Sequence, residues 1–417
     1  MSSISVEETL DWEVFVSRYW DRAPVLFRSP GPVPFVAEEV FEAATATVGP
    51  DGAASKAVQL TSEGRRLPTI DRATPHVDDG DFDSYVSRIT ERLGGDRHAL
   101  VISSFHAYGP AMWSRQRAFF APLWQRVGIP MTTALTTLFH GNYEHSPVGV
   151  HKDRYGTFMY VLSGRKRMRM WSRRPWEHDA STIVDYDQYL DSSISAEAEA
   201  GQLLYWPSSH FHVGENIGDQ PATSVNVGVP REERRMDQET VALLGDTPAA
   251  EYGDVGAYLA SVLPPVEAAM FTDGIAAQPP DALRLGLDQV VSRLTVAWTG
   301  RRRRELALNR YTAGGFQPVP AARPLHRLST RDRLRLDPAA SILWCVVDET
   351  SALCSANGHT ATETLSPRAM GTLFDGLDRA QPPTVTELCR AVDPGERDKT
   401  ASLLAELCAF RALDVSR

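Results

Sequence analysis

The stretch VGVHKDRYGTFMYVLSGRKRMRMW, Val148 to Trp171, decides how the rest of this chain is read. Two runs within it, TFMYVL and KRMRMW, flank Ser163-Gly164 and read as strands joined by a tight turn. Side chains two apart on a strand share a face, so Lys166, Met168 and Met170 face one way and Arg167 and Arg169 the other. Just upstream, His151 and Asp153 share a face and can both reach one ion. One further imidazole completes a two-His, one-carboxylate set that leaves part of an octahedral Fe(II) shell open. Open positions are what an oxygen-using enzyme needs, because a bidentate 2-oxo acid takes two and dioxygen a third.

The third ligand comes from YWPSSHFH, Tyr205 to His212, where His210 and His212 have the same parity and spacing does not choose between them. In a chain with eleven histidines, a single His-x-Asp pair arises easily by chance. Lys166 strengthens the reading. If Met168 and Met170 face a barrel interior, Lys166 is buried with them, and a buried ammonium without a partner costs several kcal/mol. The far carboxylate of a 2-oxo acid would serve as that partner; a strand-end lysine reaching back to water is the competing reading. Thr157 has the parity of His151 and Asp153. In SVNVGV, Ser224 and Asn226 share one face and three valines the other, and either face can point inward.

A length of 417 residues predicts two or three domains. The net charge of −10 argues against broad binding to nucleic acid or acidic membranes and favours a basic protein or peptide segment as partner. No apolar run approaches the roughly 20 residues needed to cross a bilayer, and the first residues lack a secretory pattern, so a cytoplasmic protein is expected. The four cysteines, Cys345, Cys354, Cys389 and Cys408, lack metal or disulfide spacing and read as reduced core residues.

Short strands with turn residues between them run from His98 to Pro230, the pattern of a barrel or sandwich. APVLFR reads as an earlier strand. After Pro230 the pattern turns helical, with Leu283, Leu287, Val290, Leu294 and Trp298 as a core or dimer stripe. Residues 311–324 read as a Gly/Pro-rich linker. Beyond it SILWCVV reads as a strand and 366–377 as a helix, while Thr384 with Glu387 forms a capping box. The expected domains are therefore 1–230, 231–318 and 319–417.

These residues resemble the JmjC-type cupin oxygenases, and within them the ribosomal-oxygenase branch of bacterial protein hydroxylases. The resemblance rests on His-x-Asp-x-Tyr, a following strand, and a Lys or Arg thirteen residues after the metal Asp, which here is Lys166. FVSRYWDRAPVLFR is similar to the family's opening segment. The family's distal His follows a Gly-Asp-x-Leu-Tyr-x-Pro strand by five residues, which selects His212. Gln202 replaces the Asp of that strand, and Val148 stands where related hydroxylases carry Thr.

The resemblance implies a mainly β catalytic domain of the double-stranded β-helix (cupin/JmjC) kind with α-helical additions. It further implies a helical dimerisation region, hence a homodimer, and a winged-helix-like C-terminal α+β domain. It also implies Fe(II) held by His151, Asp153 and His212, and 2-oxoglutarate held through Lys166 with Thr157, Asn226 and Ser224 nearby. The implied reaction is hydroxylation of a protein or peptide side chain, a ribosomal protein among the candidates, with no separate acid or base beyond the metal site. Tyr155, His140 and His210 are candidates for the substrate side.

Two other readings of the same residues remain within the enzyme class: hydroxylation of a small metabolite or biosynthetic peptide, and N-demethylation. A zinc hydrolase or isomerase would use the same ligands but gives Lys166 no task. A different class, a non-catalytic cupin sensor, draws on the four arginines Arg301 to Arg304; a charge run beside a helix is usually a solvated face, and the acidic total weakens a DNA-binding role.

Overall fold

The computed structural model describes residues 4–49, 57–67, 73–130, 133–231 and 301–416. In chain order the early strands are β1 (Ser5–Glu7), β2 (Val25–Phe27), β3 (Val58–Ser62), β4 (Arg65–Arg66), β5 (His98–Ser103) and β6 (Leu135–Gly141). The metal-motif region contributes β7 (His151–Lys152), β8 (Tyr155–Ser163) and β9 (Arg165–Trp171). After it come β10 (Ile194–Glu199), β11 (Leu203–Trp206), β12 (Phe211–Asn216) and β13 (Ala222–Pro230). Helices α1 (Trp12–Arg18), α2 (Ala37–Val48), α3 (Phe82–Arg92) and α4 (Pro110–Val127) lie between the early strands.

Among the described residues these strands form two sheets. The larger runs β1-β2-β11-β8-β13-β6-β5-β3-β4 and the smaller β10-β9-β12-β7. Pairing is antiparallel except between β1 and β2. Side chains of β6, β8 and β13 from the larger sheet and of β7, β9 and β12 from the smaller line one shared pocket, so the two sheets close a barrel around it. This is the double-stranded β-helix arrangement expected from the sequence.

Alternation along β13 decides what each layer buries. Val225, Val227 and Val229 pack into the aromatic core under the helices, while Ser224, Asn226 and Gly228 face the pocket. β8 is buried on both faces, with Phe158 and Tyr160 in that aromatic core and Met159 and Val161 in the barrel's own apolar cluster. Asp11 caps α1 by accepting from the amides of Glu13 and Val14, which sets Phe15 edge-on to Tyr205 at 4.8 Å. Phe158 is fully buried beside Phe15, Trp20 and Phe120, and truncating it to Ala should cost about 3–5 kcal/mol.

Two expectations are corrected here. The block from His98 to Pro230 is not continuous β structure, because the 18-residue α4 interrupts it. Pro110 opens that helix, and Met112, Trp113, Gln116, Phe120, Leu123 and Trp124 form its buried stripe at helical spacing. The larger sheet also recruits β1 to β4 from before that block.

The second correction concerns residues 311–324, whose first part, 312–316, is a packed seam rather than a free linker. Helix α5 (Arg301–Ala313) ends there, and the carbonyls of Gly314 and Phe316 accept from Trp124 Nε1 at 2.9 Å and Trp113 Nε1 at 3.2 Å. Phe316 is fully buried against Phe120 and Trp124. Gly314 has φ +61°, and a Cβ there would meet the Arg117 side chain at 2.3 Å, so the glycine permits close approach rather than slack.

The C-terminal unit contains β14 (Arg333–Leu336), β15 (Ile342–Val346), β16 (Ala352–Ala356), β17 (His359–Thr360) and β18 (Leu413–Ser416). Its helices are α6 (Pro367–Leu377), α7 (Val385–Ala391) and α8 (Arg397–Ala409). β14 pairs with β18, and β15, β16 and β17 form a second small sheet. Ser366 caps α6 and the Thr384–Glu387 capping box opens α7, and the unit has its own apolar core. Cys354 is buried in that core; the other three cysteines are partly buried. The stripe Leu283, Leu287, Val290, Leu294 and Trp298, and most of the region 231–318, lie outside the described residues. Among the described residues no helix is long and apolar enough to cross a membrane.

Candidate metal centre and its pocket

His151 lies directly opposite His212 in the β7–β12 pairing, which brings the two rings to 4.5 Å between centroids. Asp153 follows β7, and its Oδ2 lies 3.5 Å from His151 Nε2 and 3.6 Å from His212 Nε2. One ligand atom from each of the three falls within 4.8 Å of the others. Each imidazole has its second nitrogen occupied. His151 Nδ1 is 2.9 Å from the Gly149 carbonyl and His212 Nδ1 is 3.3 Å from the His210 carbonyl. With Nδ1 held by a carbonyl, each ring presents Nε2 to Asp153 and the shared centre, and loss of the Nε2 proton would free the lone pair a metal-binding histidine needs.

The three groups act on one another electrostatically. Burial alone would raise the Asp153 carboxyl, but hydrogen bonds from His151 and His212 hold it well below the usual range. Burial lowers His212; it also pulls His151 down, but the hydrogen bond and charge of Asp153 together with the Gly149 carbonyl raise it on balance. Two imidazoles and a carboxylate with three free positions match the donor set of a non-haem Fe(II) site.

The pocket beside this cluster has a volume of about 160 Å³, roughly that of a cavity that takes up benzene. Leu135, Phe139, Met159 and Met168 make its apolar wall. Thr157, Ser224, Asn226 and Tyr155 also line it. Asn226 Oδ1 is buried with no hydrogen-bond partner among the described residues, and so is the Nε1 of Trp206, whose ring lies 5.1 Å from His212. An acceptor and a donor left unmatched beside the ligand set fit a polar guest.

Lys166 projects into the same pocket and is only 2% exposed. Its Nζ donates to Tyr143 Oη and to Asn216 Oδ1, both at 2.7 Å, and stands 4.3 Å over the Tyr143 ring. Burial pushes its pKa well below the ordinary lysine value. Among the described residues no carboxylate pairs with it. An anionic group entering the pocket would supply the missing charge, so the residues present fit a dicarboxylate cosubstrate.

The structure brings together His151, Asp153, His212, Lys166, Thr157, Ser224, Asn226 and Tyr155. It does not bring in the other two candidates. On β6, Leu135, Thr137 and Phe139 face the pocket, so alternation turns His140 the other way. His140 stacks on Phe82 at 4.7 Å and its Nδ1 lies 2.9 Å from Thr223 Oγ1. His210 sits in the turn before β12, where strand parity does not hold; it stands outside the ligand cluster, with Nδ1 3.1 Å from Ser209 Oγ. Tyr143, Asn216 and Trp206 are pocket or Lys166-contacting residues that sequence reasoning missed. Asn216 sits directly across from Lys166 in the β9–β12 register, a signal that exists only once that pairing is known.

Comparison with known proteins agrees with this geometry. Residues 114–235 match the JmjC domain family model. The ribosomal protein uL16 3-hydroxylase of Escherichia coli is 23% identical over 225 residues, 53% of this chain and 54% of that protein. The chain thus matches about half the length of this curated relative. The X-ray structure of E. coli ycfD superposes with a TM-score of 0.50 at 16% identity, covering 98% of this chain and 99% of that one. The same E. coli protein in complex with cobalt and 2-oxoglutarate gives 0.47 at 15% identity over 100% and 99% of the two chains. This chain carries a JmjC domain over residues 114–235, in a fold it shares with E. coli ycfD.

Proposed function

We propose that this protein is an Fe(II)- and 2-oxoglutarate-dependent dioxygenase that hydroxylates a protein or peptide side chain in the cytoplasm. The observation that carries the proposal is the placement of one buried, carboxylate-free lysine and a two-His, one-Asp cluster on the walls of one small pocket. Bound there, Fe(II) and 2-oxoglutarate supply decarboxylation to succinate coupled to oxygen insertion into a C–H bond. His151, Asp153 and His212 hold the metal. Lys166 anchors the far carboxylate, while Thr157, Ser224 and Asn226 offer hydrogen bonds along the cosubstrate. The apolar wall keeps water from the reacting centre.

A protein substrate is supported by the similarity to a ribosomal protein hydroxylase, which makes ribosomal proteins the first candidates to screen. The acidic total charge is complementary to a basic target segment. Tyr155, which lines the pocket, is the candidate for substrate contact. A homodimer rests on the family resemblance and the apolar stripe in 283–298.

Succinate formation by purified protein with Fe(II), ascorbate, oxygen and 2-oxoglutarate tests the assignment, with Asp153→Ala and Lys166→Met as controls. Turnover in the parent protein that is lost in both variants is expected. Turnover that survives Asp153→Ala, or no turnover and no metal-dependent 2-oxoglutarate binding, would remove the oxygenase reading.

A further inference from the structure

Far from the metal, the C-terminal unit has a groove of about 570 Å³. Leu328, Ala405, Cys408, Ala409 and Leu413 give it an apolar floor, and Arg323, His326 and Arg335 stand along it. All four residues of β18, Leu413 to Ser416, line it. Successive strand residues point to opposite faces, so a groove touched by all four reaches both faces of β18, with Arg335 of β14 and Pro382 also in its lining. Among the described residues β18 has only β14 as a strand neighbour, which leaves its other edge unpaired.

Folded proteins commonly protect such an edge with charged side chains, proline, a bulge or a very short strand, and β18 has only its four-residue length and Asp414 to do so. The sequence of β18, LDVS, has neither lysine nor proline, its pairing with β14 is regular, and Val415 is 44% exposed. The facing wall is the extended run around Arg323 to Leu328, tied down where the Arg323 amide donates to the Ala409 carbonyl at 2.9 Å.

Charge selects the occupant. Arg323, His326 and Arg335 are exposed. The one carboxylate in the lining, Asp414, lies 3.8 Å from Arg335 with both side chains more than half exposed, a pair of little strength. Arg323 has no carboxylate partner among the described residues. A locally basic groove in a chain of net charge −10 is matched by acidic side chains. Its lining has no Phe, Tyr or Trp ring to serve as a stacking platform for nucleic-acid bases, whereas an apolar floor beside a strand edge suits alternate side chains of an extended peptide. Four residues of β18 span about 13 Å, enough to register a strand of similar length.

We propose that the C-terminal unit binds an extended acidic peptide segment by strand addition at the free edge of β18. The test uses the full chain and two labelled eight-residue peptides, one alternating Val and Glu and one alternating Val and Lys, followed by fluorescence anisotropy. A short RNA oligonucleotide serves as competitor. The Val/Glu peptide should bind at least tenfold more tightly than the Val/Lys peptide and slow amide exchange in residues 413–416. Arg323→Glu with Arg335→Glu should weaken binding at least tenfold, and so should Ala405→Trp, which fills the floor without changing charge. Thermal unfolding of each variant checks that the unit still folds, and the exchange measurement on the parent protein needs no variant. Equal binding of the two peptides, unchanged exchange in β18, variants that bind like the parent, or displacement of the peptide by RNA would each overturn the proposal.

Discussion

Two buried cations, Lys166 in the barrel and Arg117 at the seam with the C-terminal unit, make no close ion pair among the described residues, yet their surroundings differ in kind, and the Asp337 carboxylate acts on Arg117 from farther off. Arg117, on α4, donates to the Thr312 carbonyl at 2.9 Å, to Asn357 Oδ1 at 2.8 Å and to the Ala339 carbonyl. Its guanidinium also stands 4.6 Å over the Trp113 ring. Burial lowers its pKa to about 10, so it remains charged at neutral pH. Lys166 has two neutral acceptors for three N–H donors and opens onto a pocket. A buried charge that the protein itself satisfies holds structure together. One left short of partners beside a cavity is prepared for a ligand.

Exchanging each cation for an uncharged residue should separate these roles. Lys166→Met should lower 2-oxoglutarate turnover between a hundred- and a thousandfold, on the scale expected for loss of a buried charge contact. Its unfolding midpoint should hold or rise, since an under-satisfied buried ammonium is gone. Arg117→Met should do the reverse. Leaving the acceptors at 312, 339 and 357 unmatched should cost about 2–4 kcal/mol in urea unfolding, with turnover per folded molecule close to the parent value.

Buried histidines sharpen the contrast through pH. Burial lowers His98 and His106 to about 4 each; neither ring nitrogen of His98 has a hydrogen-bond partner among the described residues, and at His106 the Pro318 backbone opposes the burial only in part. Their folded-state values lie below the unfolded value of 6.5, so the unfolded chain binds more protons in the window between. Stability is therefore complete above about pH 6.5 and declines as pH falls toward 4, by about 2 kcal/mol for each histidine between pH 7 and pH 5. Denaturant titrations at those two pH values check this, and an apolar replacement of either histidine should flatten the slope.

The smallest expected effect comes from converting the lysine's surroundings toward those of the arginine. Asn216→Asp would give Lys166 a carboxylate of its own, and 2-oxoglutarate affinity should fall about tenfold, or 1.4 kcal/mol. Unchanged affinity would mean that the lysine does not anchor the cosubstrate.

Strand alternation made much of the site legible in the sequence. Parity put Lys166, Met168 and Met170 on one face and grouped His151, Asp153 and Thr157; the pocket lining contains all of these but Met170, which is buried in the barrel's apolar cluster. It grouped Ser224 with Asn226 without saying which way they point. That depended on the apolar core over the opposite face, into which Val225 and Val227 pack. Parity had no purchase on Tyr143, which lies in a loop, or on Asn216, which reaches Lys166 through a cross-strand register. It also misled at His210, which is not on a strand. The seam was hidden for another reason: Gly314 and Gly315 have the composition of a slack connector, but their use, close approach to Arg117 and Trp124, depends on a helix 190 residues away in the chain.

The most direct test of the central claim is metal-dependent binding of 2-oxoglutarate, measured by calorimetry with Mn(II) in place of iron, in the parent protein, Asp153→Ala and Lys166→Met. Binding should require the metal, disappear in Asp153→Ala and weaken at least a hundredfold in Lys166→Met. Binding that needs no metal, or that is indifferent to Lys166, would contradict the account.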